Sequence, residues 1–224
     1  MRGLMSTSNH SHGEGHHVAH HFRDAEHEFD SAKQGIWLFM VTEILMFGGL
    51  FVGYVIFHTI YPEMFSEGAS HLDWRLGFVN TLVLIVSSYT MAMSIHHLQK
   101  NEKSEAVTKL WITVVCGLVF MGIKAFEYYT KFEHGLLPGR LLDVAHAHAQ
   151  HANLGMYYGF YFCMTGLHGL HVMIGMGLIV WLAIRAKRGD FGADYFTPVE
   201  GVGIFWHIVD LIWIFLFPLL YLVG

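Results

Sequence analysis

Five long apolar stretches interrupt an otherwise polar pattern, at about Gly35–Phe57, Leu76–Ile95, Leu110–Thr130, Leu154–Ile184 and Val202–Val223. Each holds about 20 residues or more, and at about 1.5 Å of rise per residue that is enough to cross a hydrocarbon layer of about 30 Å. Within one such segment only a helix satisfies every backbone N–H and C=O. The pattern therefore predicts an all-α integral membrane bundle of five transmembrane helices. The polar, histidine-rich stretch over residues 1–33 reads as a cytoplasmic leader, and residues 34–224 as one membrane domain. The leader has no apolar run of the length a secretory signal needs, so targeting is expected to rest on the first span.

Composition agrees. Hydrophobic residues make up 54% of the 224 and charged residues only 14%, with a mean hydropathy of +0.41. A soluble domain of this length needs more polar surface to cover its core. No basic block points to nucleic acid. Cys116 and Cys163 both fall inside apolar spans, where they read as small packing residues rather than a disulfide framework.

Basic residues fix the expected orientation. Arg2, Arg23, Lys33, Lys100, Lys103, Lys109, Arg185, Lys187 and Arg188 share the side of the N-terminus, against Arg75, Lys131 and Arg140 on the other. The excess places the N-terminus in the cytoplasm and, after five crossings, the C-terminus in the periplasm. Trp37 and Trp111 at inner ends, and Tyr128, Tyr129 and Tyr221 at outer ends, read as interfacial aromatic belts, with Trp74 and Arg75 marking the outer end of the second span.

Two histidine clusters lie outside the spans: His10, His12, His16, His17, His20, His21 and His27 in the leader, and His146, His148 and His151 in the longest outer loop. Neutral imidazole binds borderline metals. Neither cluster has cysteine or carboxylate partners at a defining spacing, so both read as solvated tracts.

More informative are the polar groups inside the spans. A carboxylate at the middle of a helix costs about 2.5–3.5 kcal/mol on insertion scales and therefore faces protein or water. Glu43 lies about 12 Å into the first span by helical rise, followed by Gly48, Gly49 and Gly53, which let another helix approach. Asp210 lies about 14 Å into the fifth, with His207 one turn earlier at a spacing suited to a His–Asp hydrogen bond. His168 and His171 sit three apart in the glycine-rich fourth span. They could ligate a metal or haem iron with further ligands from facing helices, or bond polar groups across a tight interface. Lys124 and Glu127 form a further i, i+3 pair, expected near the outer end of the third span and reaching toward water. Three classes fit such a bundle: a proton-coupled carrier, a haem- or metal-bearing redox subunit, and an accessory subunit of a larger complex.

Four motifs narrow the choice. Thr165-Gly-Leu-His-Gly-Leu-His-Val172 followed by Gly175, Phe205-Trp-His-Ile-Val-Asp-Leu-Ile-Trp-Ile-Phe215, Trp37-Leu-Phe-Met-Val-Thr-Glu43 and Ala125-Phe-Glu-Tyr-Tyr129 occur in this chain. Together they resemble the cytochrome c oxidase subunit III family of haem–copper oxidases, over about residues 34–224. The resemblance implies a noncatalytic subunit of a proton-pumping terminal oxidase that reduces oxygen to water in aerobic respiration, in the bacterial inner membrane. It implies no catalytic residue and no metal or other cofactor bound by this chain, with haem and copper in partner subunits I and II. Subunit I is the chief partner, and phospholipid is expected between helices. In that light His168, His171, His207, Asp210 and Glu127 form a structural polar network. Glu43 matches the family's carbodiimide-reactive carboxyl, expected to be neutral at pH 7 because it is buried without a cationic partner. Arg185, Lys187 and Arg188 are candidate contacts for anionic lipid headgroups.

Longer family members have seven helices, the first two splayed around lipid, and this chain starts at the equivalent of the third. Its lipid cleft is expected to be absent or walled by another subunit. Short forms also occur in bo-type quinol oxidases, where the acidic position is typically aspartate; glutamate at 43 leans toward cytochrome c as the donor. A quinol oxidase subunit is the nearest alternative and a free-standing proton-coupled carrier the distant one. Dicyclohexylcarbodiimide added at neutral pH to the intact complex is expected to label Glu43, read by mass spectrometry of the peptide; an unmodified Glu43 would contradict a protonated carboxyl there.

Overall fold

The computed structural model describes residues 25–136, 154–192 and 195–223. Among the described residues six helices run in chain order: α1 Ala25–Ile60, α2 Pro62–Ser70, α3 Trp74–Gln99, α4 Lys103–Glu133, α5 Leu154–Arg188 and α6 Thr197–Tyr221. Five are long and apolar enough to cross a membrane: Gln34–Ile60 within α1, and the whole of α3, α4, α5 and α6. Compared with the apolar stretches of the sequence, α3, α4 and α5 extend further, because polar end turns still satisfy their backbone inside the helix. The leader histidines and the loop with His146, His148 and His151 lie outside the described residues.

Each boundary has a local cause. Pro62 cannot extend α1 and biases Tyr61 out of the helical region, so the chain breaks there and restarts with Pro62 in the first turn of α2. Asp73 caps α3, its side chain accepting from the Arg75 N–H at 2.9 Å. Three helices close with a left-handed residue that lets its own N–H and that of the following residue turn back onto the last carbonyls. Asn101 (φ 62°) does this after α3, Gly135 (φ 67°) after α4 and Gly189 (φ 93°) after α5. In the first of these turns a hydrogen bond from His97 holds the Glu102 carboxyl below the usual carboxylate range.

The short α2 was not foreseen. Its buried positions Met64, Phe65, Gly68 and Ala69 follow helical spacing and face α5, a pattern visible in the sequence but too short to stand out beside the spans.

Packing closes α3, α4, α5 and α6 into a ring in which each helix contacts the next and α6 returns to α3. α1 leans on α6 and α5 from outside and is the least buried of the five spans, whereas α6 is the most buried. Without a hydrophobic driving force between helices in lipid, association rests on close packing and interhelical hydrogen bonds. At Gly175 two helices approach closely: a Cβ there would stand 2.7 Å from Cε3 of Trp206. That indole is fully buried and its Nε1 donates to Ser87 Oγ at 2.9 Å. Three helices thus meet at one ring.

Gly175→Ala is expected to destabilise the bundle by about 1–3 kcal/mol in a thermal or denaturant titration, because an anchored ring must shift. Gly122→Ala, where nothing lies within 4 Å of the added Cβ, should be neutral or slightly stabilising. Equal responses would show that the Trp206 contact does not set the helix spacing.

Candidate functional site in the bundle interior

Three polar groupings lie within the spans. The first joins α4, α5 and α6. Lys124 Nζ donates to Glu127 Oε2, Tyr161 Oη and Tyr221 Oη, each at 3.0 Å, so all three ammonium protons have an acceptor. Tyr161 and Tyr221 in turn donate to Glu127 Oε1 at 2.9 and 2.7 Å. The ammonium also stands 5.0 Å from the Tyr161 ring centroid and 5.2 Å from that of Trp213. Lys131 extends the grouping, donating to the His71 carbonyl at 3.0 Å and tying α4 to the α2–α3 connection.

The expectation that Lys124 and Glu127 reach toward water is corrected: they are only 5% and 4% exposed. α4 continues to Glu133, which puts the pair about two turns inside the helix, and the two tyrosines close over it. Tyr221 is likewise no belt residue but buried in this grouping, and Tyr128 bonds Thr165 at 2.5 Å. Trp37, Trp74, Trp111 and Tyr129 are exposed, as belts require. Tyr161 was missed altogether. Its only sequence signal is a polar aromatic deep in a span, on the same turn of α5 as Tyr157 and Tyr158.

The second grouping is Glu43 with His171. Helix α1 carries Glu43 against α5, where His171 Nε2 lies 2.9 Å from Glu43 Oε2. The oxygen stands off the ring N–H axis, so the contact is close without being a well-directed hydrogen bond. The other ring nitrogen, Nδ1, lies 2.7 Å from the Leu167 carbonyl. A carbonyl only accepts, so Nδ1 carries a hydrogen. The expectation of a carboxyl without a cationic partner is corrected: a basic group faces it, brought there because α1 packs on α5.

The third grouping departs further from expectation. His207 does not bond Asp210; its Nδ1 lies 2.6 Å from Ser88 Oγ across on α3. Asp210 is 3% exposed and neither carboxyl oxygen has a hydrogen-bond partner. Shared helical spacing puts both residues on one face, but the nearer hydroxyl on α3 takes the imidazole. His168 also bonds nothing through either nitrogen. It is packed between rings, 5.5 Å from Phe120 and 5.2 Å from Trp213. Its expected hydrogen bond is absent among the described residues, and the polar network is several separate groupings. Smaller ties that went unread join the same helices: Thr81 with Trp213, Ser87 with Trp206, and Thr90 with Thr113.

At the end of α5, Arg185 is half-buried, paired through Nε with Asp190 at 2.8 Å and stacked on Trp181 and Phe191. Lys187 and Arg188 are exposed. Of the three candidate headgroup contacts, the latter two are free to reach a lipid surface.

Chemically the three groupings differ. The Lys124 grouping is closed, with every donor of Lys124, Tyr161 and Tyr221 used. The Glu43–His171 pair sets a carboxyl against an imidazole, and Asp210 has bonding capacity to spare.

Comparison with known proteins agrees with the motifs. The profile described as cytochrome c oxidase subunit III matches residues 12–134 and 142–224. The chain is 34% identical to a cytochrome c oxidase subunit 3 of Thermostichus vulcanus, over 89% of this chain and 91% of that protein. It is 27% identical to a probable quinol oxidase subunit 3 of Staphylococcus haemolyticus, over 88% of this chain and 92% of that one. A cytochrome c oxidase subunit 3 of Synechocystis is 31% identical, with 84% of this chain aligned to 74% of the relative.

Removing one partner of the buried ion pair strands the other charge, which costs about 3–5 kcal/mol, whereas removing both is far milder. Glu127→Leu or Lys124→Met alone should therefore lower stability by that order, and the double variant should recover most of the loss in a denaturant titration. Additive losses would mean that the two charges are not coupled.

Proposed function

Since the chain belongs to the cytochrome c oxidase subunit III family, we propose that it serves its oxidase as a scaffold without a redox centre, steadying the catalytic subunit and assisting its proton uptake. It is a haem–copper oxidase subunit III, a multi-pass protein of the bacterial inner membrane, and its partners are other oxidase subunits. The finer reading has haem and copper held by subunits I and II, and subunit I as the chief partner. The N-terminus lies in the cytoplasm and the C-terminus in the periplasm, as the basic residues suggest.

The observation that carries this reading is the close pair of Glu43 and His171. It sits where the loosely packed α1 leans on α5, and most of α1 remains uncovered by the chain itself. A carboxyl and an imidazole 2.9 Å apart can pass one proton between them without a net charge appearing in hydrocarbon, since either arrangement of the pair is neutral overall. Such a site suits proton transfer to a neighbour and has no evident use in a static bundle. The scaffold role is supported by the closed Lys124 grouping, which leaves no open position for a substrate. His168, His171 and His207 turn to a ring packing, a carboxyl and a serine respectively, an arrangement suited to packing and hydrogen bonding.

Cytochrome c is the donor we favour. Glutamate at 43 supports it, as does the higher identity to the Thermostichus vulcanus protein than to the staphylococcal one. The second reading, a quinol-oxidising complex, is favoured by the near-full-length alignment to that staphylococcal relative.

Purification by a tag on this chain distinguishes the readings. Haem absorbance is expected to co-purify, and ascorbate-reduced cytochrome c should drive oxygen uptake. Uptake driven by quinol alone would move the donor to the second reading. A chain that purifies alone and without haem partners would overturn the scaffold role.

A further inference from the structure

Between α3 and α6 lies a groove of about 370 Å³, walled by Leu84, Ile85, Tyr89, Leu211 and Ile214 and floored by Ser88, His207 and Asp210. We propose that this groove seats a transmembrane helix of a partner oxidase subunit, and that the helix presents a hydrogen-bond donor (a hydroxyl, amide or amine side chain) to the Asp210 carboxyl. The inference rests on the reading of the chain as subunit III, and adds which face meets a partner and through which residue.

Asp210 is nearly inaccessible and both its oxygens lack a partner, yet it lines an open groove. Buried polar groups in native proteins are hydrogen-bonded with few exceptions, and acids within membranes face partners or cavities. The chain itself offers little. His207 is engaged by Ser88, and the Ser88 hydroxyl, though beside the carboxyl, makes no hydrogen bond to it of acceptable geometry. The missing donor must therefore come through the mouth of the groove.

Depth limits what that donor can be. Ser88 follows the start of α3, Trp74, by about 20 Å of helical rise, and Asp210 follows the start of α6, Thr197, by about the same. Both are thus near mid-membrane. A phospholipid headgroup stays at the surface of the hydrocarbon layer, about 15 Å away. Only its acyl chain reaches this depth, and an acyl chain has nothing to donate.

The shape fits a helix. The lining runs from Leu84 to Ala92 on α3 and from His207 to Ile214 on α6, about two helical turns on each side. An approaching helix places a side chain into such a groove at i, i+3 or i+4, and i+7. Exposed apolar residues continue the strip past the cavity, with Phe78 and Leu82 on α3 and Phe215 on α6. A small ring-shaped ligand would fill the cavity and leave that longer strip uncovered.

The test uses the intact, detergent-purified complex carrying a photoreactive benzophenone amino acid at Tyr89, on the groove rim, or at Phe126 on α4. Illumination should join the Tyr89 position to another membrane subunit, identified by mass spectrometry. The Phe126 position gauges how much cross-linking arises away from the groove. Asp210→Leu should lower retention of this chain in the complex by about three- to tenfold, while Asp210→Asn keeps a polar partner and should lower it less. Tyr89 adducts confined to lipid or to a bound quinone would overturn the proposed seat while haem partners still co-purify. Absence of those partners from the unaltered chain would overturn the subunit III role as well.

Discussion

Hydrocarbon offers no water to a buried charge, and that constraint is met most completely at Lys124 and Glu127. Taking an ammonium and a carboxylate out of water carries a penalty of several kcal/mol per ion, which only good geometry and further hydrogen bonds offset. Here two tyrosines provide them. Tyr161 and Tyr221 each accept from the ammonium and donate to the carboxylate, so no lone proton or oxygen is left over. Because these groups come from α4, α5 and α6, the solution exists only when the three helices hold one register. The ion pair thereby converts an electrostatic penalty into a specification of the fold. Trp206, wedged against Gly175 and bonded to Ser87, fixes the spacing of the same helices with α3.

Two further polar groupings lie at the outer faces of that ring. Glu43 and His171 lie at the seam between the ring and the less buried α1, and Asp210 lies at the bottom of a groove between α3 and α6. Neither is needed to close the ring. A bundle built only for stability would gain from apolar residues at both places, since an acid in a span is costly wherever its partners are incomplete.

Much of this was legible from residue order. The five spans follow from length and hydropathy alone, and their observed limits differ mainly at the ends, where polar turns such as Lys103–Lys109 are helical without being apolar. The family was legible from Glu43, Glu127, the two histidines of the fourth span and the His207–Asp210 element. Side-chain pairing was not. Spacing put His207 and Asp210 on one face, but Ser88 on another helix captured the imidazole, and no rule of local periodicity contains that contact. Tyr221 looked interfacial because it closes the last span; its hydroxyl instead turns inward to Glu127, which depends on how α6 stands across the ring from α4. The amphipathic α2 had a readable pattern and was hidden by its shortness.

The central claim is that the interior acids, lysine and imidazoles of this chain satisfy one another or a neighbouring polypeptide, and never a redox metal. A density map of the assembled oxidase at side-chain resolution tests it most directly. The account predicts Lys124 and Glu127 enclosed by Tyr161 and Tyr221, His171 against Glu43, and every haem and copper held by other subunits. A metal or haem iron bonded to His168, His171 or His207 would contradict it.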